Sequence, residues 1–220
     1  MDWPLLTPLS EAERAALLKA SRHRAFVRGE VLFHEGDPGD SLYLVIRGHL
    51  AVRVSTPNGE RATLNVVGPG SHVGELALTN RSGPHVRSAT VVALEPAETR
   101  TLSAHAFYDL CDRHPRVQTL LVDLLATRVR QLSFRLLETM YLSLDRRLYR
   151  RLLFLCDVYA DSQTPGVIPL TQEQLADLVG GTRPSVNQVL QKLVDEGIVS
   201  LGRGKLVVLD RDALAGKAAD

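Results

Sequence analysis

A short segment at residues 73–91 carries residue types that can recognise a sugar and a phosphate together. Gly74 is followed at once by Glu75, and Arg87 is followed by Ser88. A glycine allows close approach of the backbone, and free N–H groups in the turn after it attract an anion. A carboxylate can accept hydrogen bonds from ribose hydroxyls, and the planar guanidinium of an arginine fits phosphate oxygens. The segment therefore predicts a site for a sugar phosphate.

The elements that must hold this segment are predicted to be short antiparallel strands. From residue 25 to about residue 102, short β-rich runs alternate with glycine-containing turns, including Asn58-Gly59. Both Asn and Gly tolerate positive φ, which suits a hairpin turn. Such close strand spacing is typical of an antiparallel roll or barrel. The expected strands cover residues 31–33, 42–46, 50–54, 62–67, 88–94 and 99–102.

Helices are predicted on both sides of the strand region. Ser10 and Glu13 form a capping box that should open a helix through about residue 20, and Ser103 should cap a helix over residues 104–113. A long helix should begin at Pro115, because residues 116–160 contain neither glycine nor proline. A break is expected near residues 142–145, followed by a helix over residues 146–158.

The long helix has two apolar stripes. One recurs at alternating spacings of three and four, which is typical of a coiled-coil seam: Val122, Leu125, Val129, Leu132, Leu136 and Met140. A second stripe can pack on the strands: Leu120, Leu121 and Leu124. We therefore expect a parallel homodimer through residues 115–144. The alternative is a single helix buried against its own domain.

A second cluster of motifs lies between residues 170 and 209. Thr171 should cap a helix over residues 172–179, and a glycine turn at 180–181 leads to a second helix from about residue 183 to 196. Pro184 falls in the first turn of that helix, where proline is tolerated. Two short helices joined by a glycine turn fit a helix-turn-helix. Runs at 198–201 and 205–209 predict a hairpin wing.

These motifs resemble a known family. The sequences at 74–78 and 87–91 resemble the phosphate-binding cassette of cyclic-nucleotide-binding domains. Residues 36–52 resemble a part of the jelly roll of those domains that has glycines in its turns. Residues 171–199 resemble the winged helix-turn-helix of the CRP/FNR superfamily of bacterial transcription regulators. The resemblance implies an α+β fold in three parts. These are an N-terminal antiparallel β-roll over 1–114, a dimerisation helix and hinge over 115–144, and a C-terminal winged helix-turn-helix over 145–220.

The resemblance also implies a ligand site for cyclic AMP, an allosteric ligand rather than a cofactor. Glu75 would hold the ribose 2′-hydroxyl, and Arg87 with Ser88 would hold the cyclic phosphate. Two adjacent hydroxyl residues on the long helix read the purine in well-known members. Here the first of them is a leucine, which cannot form that bond. The expected ligand-binding set is Gly74, Glu75, Leu76, Ala77, Arg87, Ser88, Ala89, Leu132 and Ser133.

On the same resemblance the second helix should enter the major groove of double-stranded DNA, with Arg183 gripping guanine. The next reading position is usually glutamate and is Pro184 here, so the palindromic operator should depart from the family's usual half-site. RNA polymerase is an expected partner through the loop at residues 159–166. The expected DNA-binding set is Thr171, Thr182, Arg183, Ser185, Asn187, Gln188, Arg203 and Lys205.

Composition narrows the possible partners and compartments. The net charge of the 220 residues is only +1, so the DNA expectation depends on the motif and not on bulk basicity. Two isolated cysteines cannot ligate an iron–sulfur cluster, and the scattered histidines predict no metal site. No apolar run could span a bilayer, and the N-terminus lacks a secretory signal, so the cytoplasm is expected.

Other interpretations stay open at this point. Glu75 and Arg87 could form a structural ion pair in a roll without ligand. The chain could be a constitutive DNA-binding dimer, or one that reads another ligand; the missing hydroxyl and a long loop at residues 79–86 favour this. An enzyme acting on a phosphodiester through Glu75, Arg87, His72 and His85 is disfavoured by the winged module and by the lack of metal ligands. Haem bound through a histidine is a further alternative.

Overall fold

The computed structural model describes residues 3–55, 61–79, 86–160 and 166–219, without the side chains of Arg61 and Ala77. The predicted Asn58-Gly59 turn lies outside these residues, as does most of the 79–86 loop. The chain divides into two compact units. The first unit comprises residues 1–54 and 65–130, and the second unit comprises residues 55–64 and 131–220. The finer three-part division at residues 114 and 144 stays a prediction.

Two four-stranded sheets form most of the first unit. One has the order β1 (Arg22–Phe26), β8 (Ala97–Ser103), β3 (Ser41–Arg47), β6 (His72–Val73). The other has the order β2 (Val31–Phe33), β7 (Thr90–Ala93), β4 (Leu50–Ser55), β5 (Arg61–Val67). Every pair with a defined register in these sheets is antiparallel. Together with the helices below, these sheets confirm the predicted α+β fold with an antiparallel N-terminal domain.

The segment around Arg87 differs from the prediction, because the strand begins at Thr90 and not at residue 88. The backbone of Arg87 hydrogen-bonds instead to the turn at residues 36–37: its N–H donates to Asp37 O, and its carbonyl accepts from Gly36 N–H. Val86 forms an isolated bridge with Pro38. These bonds hold Arg87 and Ser88 ahead of the strand.

The side-chain alternation of β3 separates two apolar cores, because successive residues of a strand point to opposite faces. Leu42 and Leu44 face a core shared with three helices: α1 (Glu11–Ala20), α2 (Ala104–Arg113) and the first half of α3 (Pro115–Tyr141). Tyr43 and Val45 face the core between the sheets. The predicted capping box of Ser10 and Glu13 is present at the start of α1. Leu121 and Leu124 of the second α3 stripe pack in the helical core.

The second unit contains the end of α3, shorter helices and a small sheet. The shorter helices are α4 (Leu144–Val158), α5 (Gln172–Val179), α6 (Arg183–Asp195) and α7 (Arg211–Ala219). The sheet has the order β10 (Val199–Gly202), β11 (Lys205–Val208), β9 (Val167–Ile168). The sequence did not predict β9 or α7, and α4 begins two residues before the expected start. None of the described helices is long and apolar enough to cross a membrane.

Candidate functional site

Gly74 brings the cassette turn against Arg87. It has φ +91 and precedes a 3₁₀ turn over Glu75–Leu78. A Cβ at this position would lie 2.5 Å from Arg87 Nη1 and 3.0 Å from Ser41 O. Only glycine combines the positive φ with so close an approach. The turn expected after Gly74 is therefore present.

Arg87 is a buried cation held by the backbone around it. The residue is 3% exposed, and its Nη1 donates to Ser41 O at 2.6 Å and to Gly74 O at 3.2 Å. Its Nη2 donates to Ser41 Oγ at 3.0 Å. The guanidinium carbon lies 4.2 Å from the centre of the Phe33 ring, a cation–π contact. The arginine is therefore fixed in place, and its Nε–H has no hydrogen-bond partner.

The charge of Arg87 is balanced by neighbouring carboxylates. Burial lowers the pKa of Arg87, whereas Tyr43, Asp40, Asp37 and Glu75 act in the opposite direction. The carboxylate in ion-pair range is Asp40, at 3.7 Å. The interpretation of Glu75 and Arg87 as a structural ion pair therefore finds no support in this geometry. An arginine keeps its proton despite such a shift, so the guanidinium stays available as a cation.

A cavity of about 50 Å³ lies beside the guanidinium. Leu76 and Ser88 line it and are exposed, so it opens to solvent. Its lining comes from both sheets, the cassette and α3: Phe33, Val52, His72, Val73, Gly74, Glu75, Leu76, Arg87, Ser88, Ala89, Val91 and Arg128. The lining thus contains one carboxylate, two guanidiniums and one imidazole. These are groups that can hold a sugar hydroxyl and an anionic phosphate.

The cavity brings together six members of the expected ligand-binding set, namely Gly74, Glu75, Leu76, Arg87, Ser88 and Ala89. The side chain of Ala77 lies outside the described part of the chain. Leu132 and Ser133 are exposed on α3, with 43% of Leu132 accessible.

Arg128 lines the cavity four residues before Leu132 and was not among the predicted site residues. A signal for Arg128 was present, since it is a charged residue beside the apolar seam of a helix.

His72 lies at the cavity with a lowered pKa. Burial is the main cause, Arg128 lowers the pKa further, and Glu75 opposes the shift. Within the described residues, the side chains of His72, Glu75 and Arg128 make no hydrogen bond or ion pair. Charged and titratable side chains gathered in one cavity are typical of a functional site. His85, the other histidine considered for an enzyme, lies outside the described residues.

The second unit presents a separate polar surface on α6. Thr182 caps the helix by accepting from Ser185 N–H at 3.3 Å, and the two hydroxyls lie 2.9 Å apart. The inner face of α6 is buried: Val186, Val189, Leu190 and Leu193. Its outer face exposes Arg183, Asn187 and Gln188. This division leaves a guanidinium and two amides free to meet hydrogen-bonding groups on a partner.

The wing lies beside the start of α6. β10 and β11 pair through Gly202 opposite Lys205, and Arg203 lies exposed in the turn between them. Thr171, Arg183 and Lys205 line one groove of about 360 Å³. Exposed amide, guanidinium and ammonium groups of this kind suit base edges and phosphates. Lys192 is paired with Asp145 at 3.2 Å.

The exposed surface of α3 carries many large apolar side chains. Five of the six predicted seam residues are exposed, at 60% for Val122, 62% for Val129, 43% for Leu132, 61% for Leu136 and 62% for Met140. Leu125, the sixth, packs in the helical core of the first unit. Phe134, Leu137 and Tyr141 are also exposed, at 58%, 51% and 75%. Exposed large apolar side chains in such number on one helix are typical of an interaction site.

Two families match most of the chain in order. Residues 23–114 match the cyclic nucleotide-binding domain, and residues 146–216 match the Crp-like helix-turn-helix domain. The described residues contain no group of three or more His, Cys, Asp or Glu that could hold a metal ion.

Characterised relatives resemble the chain over nearly its whole length. The chain is 31% identical, over 208 residues, to the CRP-like cAMP-activated global transcriptional regulator of Mycobacterium tuberculosis, covering 93% of this chain and 91% of that protein. It is 32% identical, over 205 residues, to the cyclic AMP receptor protein of Thermus thermophilus, covering 93% and 92%. The structure of FixK2 from Bradyrhizobium japonicum superposes with a TM-score of 0.79, at 20% identity over 91% of this chain and 98% of that one, a likeness of fold.

Proposed function

This chain belongs to the CRP/FNR superfamily of transcription regulators, and we propose that cyclic AMP bound in its first unit controls operator binding by a homodimer. As a member it is a DNA-binding transcription regulator with a cyclic nucleotide-binding domain, and its relatives are regulators and not enzymes. The choice of nucleotide, the dimer and the assigned site residues belong to the proposal.

The observation that carries the ligand proposal is the charge arrangement at the cavity. Glu75 and Arg128 make no hydrogen bond or ion pair among the described residues, and they line the cavity together with Arg87 and Ser88. A cyclic phosphate can accept from Arg87 and Ser88, and Glu75 can accept from the ribose 2′-hydroxyl. The relatives from Mycobacterium tuberculosis and Thermus thermophilus are described as cAMP-activated and as a cyclic AMP receptor, which supports cyclic AMP over other nucleotides.

The dimer proposal rests on α3. Exposed leucine, valine and methionine side chains at coiled-coil spacing gain stability when a second copy covers them. Sedimentation of the wild-type chain should give a dimer, and Leu136→Glu should shift it towards monomer because a charge enters the seam. Leu209→Glu is the matched control, since Leu209 is 60% exposed but lies outside α3. If both variants dissociate to the same extent, or if both remain dimers, then the α3 seam is not the dimer interface.

The DNA proposal rests on the outer face of α6. Two copies of that helix, related by a dimer axis, fit two half-sites of a palindrome. We assign base contacts to Arg183, Asn187 and Gln188 and phosphate contacts to the hydroxyls and the wing: Thr171, Thr182, Ser185, Arg203 and Lys205. Cyclic AMP raises the affinity for DNA if it binds the DNA-competent state more tightly than the other state. RNA polymerase is the further proposed partner; residues 161–165 of its expected loop lie outside the described residues.

A calorimetric titration with cyclic AMP and cyclic GMP tests the ligand proposal. Wild type should bind one cyclic AMP per chain, and its affinity for operator DNA selected from a random pool should rise with cyclic AMP. Combining Glu75→Gln with Arg87→Lys should abolish both effects, because the ribose acceptor and the bidentate fork are lost together. Glu11→Gln with Arg113→Lys is the control at exposed positions. Operator binding that still responds to cyclic AMP in the Glu75/Arg87 variant would refute the site.

One observation favours a second candidate function, a DNA-binding dimer that does not depend on cyclic AMP. Arg87 already donates to Ser41 and Gly74, so it stabilises the roll without a ligand. Leu132 also lacks the hydroxyl that reads adenine in well-known members. Strong operator binding by wild type, unchanged by either nucleotide, would favour this candidate.

A further inference from the structure

His72 reaches the cavity from outside the cassette. β6 pairs with β3 so that His72 lies opposite Leu44 and Val73 lies opposite Tyr43. Paired residues on neighbouring strands point to the same side of a sheet. His72 therefore shares the side of Leu44, where the helical core including α3 packs, whereas Val73 joins the core between the sheets. The imidazole thus lies on the α3 side of the cavity.

Charged groups from three segments line the cavity together with this imidazole. Glu75 comes from the cassette turn, Arg87 from the segment before β7, and Arg128 from α3. Around Arg87 stand Tyr43 of β3 and the carboxylates Asp37 and Asp40.

Burial lowers the pKa of His72, the negative charge of Glu75 opposes this shift, and the positive charge of Arg128 adds to it. The ring is therefore neutral near neutral pH. The remaining charges in the lining are two guanidiniums and one carboxylate, and the carboxylates of Asp37 and Asp40 lie near Arg87.

We propose that His72 takes up a proton from solvent when the anionic phosphoester binds in this cavity. The inference rests on the proposed function, because it takes the cavity as the nucleotide site. An anion in the cavity supplies negative potential that offsets both the burial of the ring and its repulsion by Arg128. The imidazolium is therefore more stable in the complex than in the free protein.

The sign of the pH effect follows from linkage. Binding that takes up a proton becomes tighter as pH falls, because added protons favour the complex. Affinity should be constant where the ring is neutral in both states. It should rise as pH falls through the pKa of the complex, and level off below the pKa of the free protein. One proton limits the slope to about tenfold in affinity per pH unit.

The experiment is a calorimetric titration of the full chain with cyclic AMP from about pH 8 to about pH 6, the range in which histidine titrates. Two buffers with different ionisation heats give the number of protons taken up. The phosphodiester keeps its single charge over this range. Wild type should take up a fraction of a proton and bind about 3–10-fold more tightly at the lower pH. His72→Gln should lose both the proton uptake and the slope.

His105→Gln is the matched control, because His105 is exposed on α2 and pairs with Asp109 at 3.0 Å. It should keep the wild-type slope. NMR titration of the His72 ring in wild type, with and without cyclic AMP, needs no variant and should show a higher pKa in the complex.

A slope that persists in His72→Gln, or an unchanged ring pKa, overturns the inference while the proposed function stands. Wild type that binds no cyclic nucleotide at any pH overturns both.

Discussion

The ligand cavity and the outer face of α6 use arginine in opposite ways. Arg87 is 3% exposed and donates to Ser41 and Gly74, so the proposed phosphate ligand also ties the cassette to β3. Arg183 is exposed, and the helix that carries it is anchored by a different, buried face. Substitutions at the cavity should therefore change affinity and stability together. Substitutions on the outer face of α6 should change affinity alone.

The largest expected effect is a loss of stability in the second unit that leaves the first unit unchanged. Leu190 is fully buried on the inner face of α6. Leu190→Ala should lower the free energy of unfolding of the second unit by about 2–5 kcal/mol, because it removes buried methyl groups and leaves a cavity. Urea denaturation followed by circular dichroism measures this loss. Cyclic AMP affinity should hold, since the first unit has its own two cores.

Leu209→Ala is the control, because Leu209 is 60% exposed and should change stability by no more than about 0.5 kcal/mol. An equal loss of ligand affinity and stability in Leu190→Ala would show that the two units do not behave independently.

The next effect tests whether cavity residues couple affinity to stability. Gly74→Ala places a Cβ 2.5 Å from Arg87 Nη1 at φ +91. Backbone strain alone should cost about 1–3 kcal/mol of unfolding free energy, and displacement of Arg87 should weaken cyclic AMP binding as well. Denaturation and calorimetric titration measure the two quantities.

Gly29→Ala is a close match, with φ +84 and no atom within 4 Å of the added Cβ. Gly29→Ala should lose unfolding free energy through backbone strain but keep the wild-type affinity for cyclic AMP. If Gly74→Ala binds ligand as well as Gly29→Ala does, then the contact between Gly74 and Arg87 does not position the site.

The sequence predicted best what local signals encode. The capping boxes of Ser10–Glu13 and Thr171–Gln174 both form. The buried spacing of α6 also appears as expected. β1 was missed because its charged residues, at 22–24, pair with β8, seventy-odd positions away in sequence. α7 was missed because its support comes from α4, where Arg150 Nε donates to Ala218 O.

The same distinction applies to the cavity. Its cassette members are neighbours in sequence, so their joint appearance in the lining could be predicted. Phe33, His72 and Arg128 come from three separate elements that only strand pairing and helix packing bring together. The start of β7 was misplaced because backbone bonds to the turn at residues 36–37 hold Arg87 outside the sheet. No periodicity within residues 86–91 encodes those bonds.

A smaller effect should separate affinity from stability on α6. Arg183→Lys keeps the charge but loses the fork that grips guanine O6 and N7, so discrimination against the wrong base should fall by about 1–3 kcal/mol. Stability should stay within about 0.5 kcal/mol, because the side chain is exposed. Competition binding with operator variants at fixed salt measures the discrimination. Arg203→Lys at the wing should leave base preference intact; a shift there as large as that of Arg183→Lys would reassign the base contact.

The smallest effect concerns pH and separates the two units again, because all seven histidines precede residue 115. The folded chain holds the pKa of His72 below its usual value, so the unfolded chain binds more protons in that range. Stability contributed by this group is therefore present above the unfolded pKa of about 6.5 and is lost as pH falls below it, by at most about 1.4 kcal/mol per pH unit.

The measurement is urea denaturation of the full chain without ligand at several pH values, followed through the unfolding transition of the first unit. The unfolding free energy should change less steeply with pH in His72→Gln than in wild type or His105→Gln. The sign is opposite to that proposed for ligand affinity, which acid should strengthen. Identical slopes in all three proteins would mean that the imidazole is not held neutral by its surroundings, and the contrast between a titrating cavity and a non-titrating α6 would disappear.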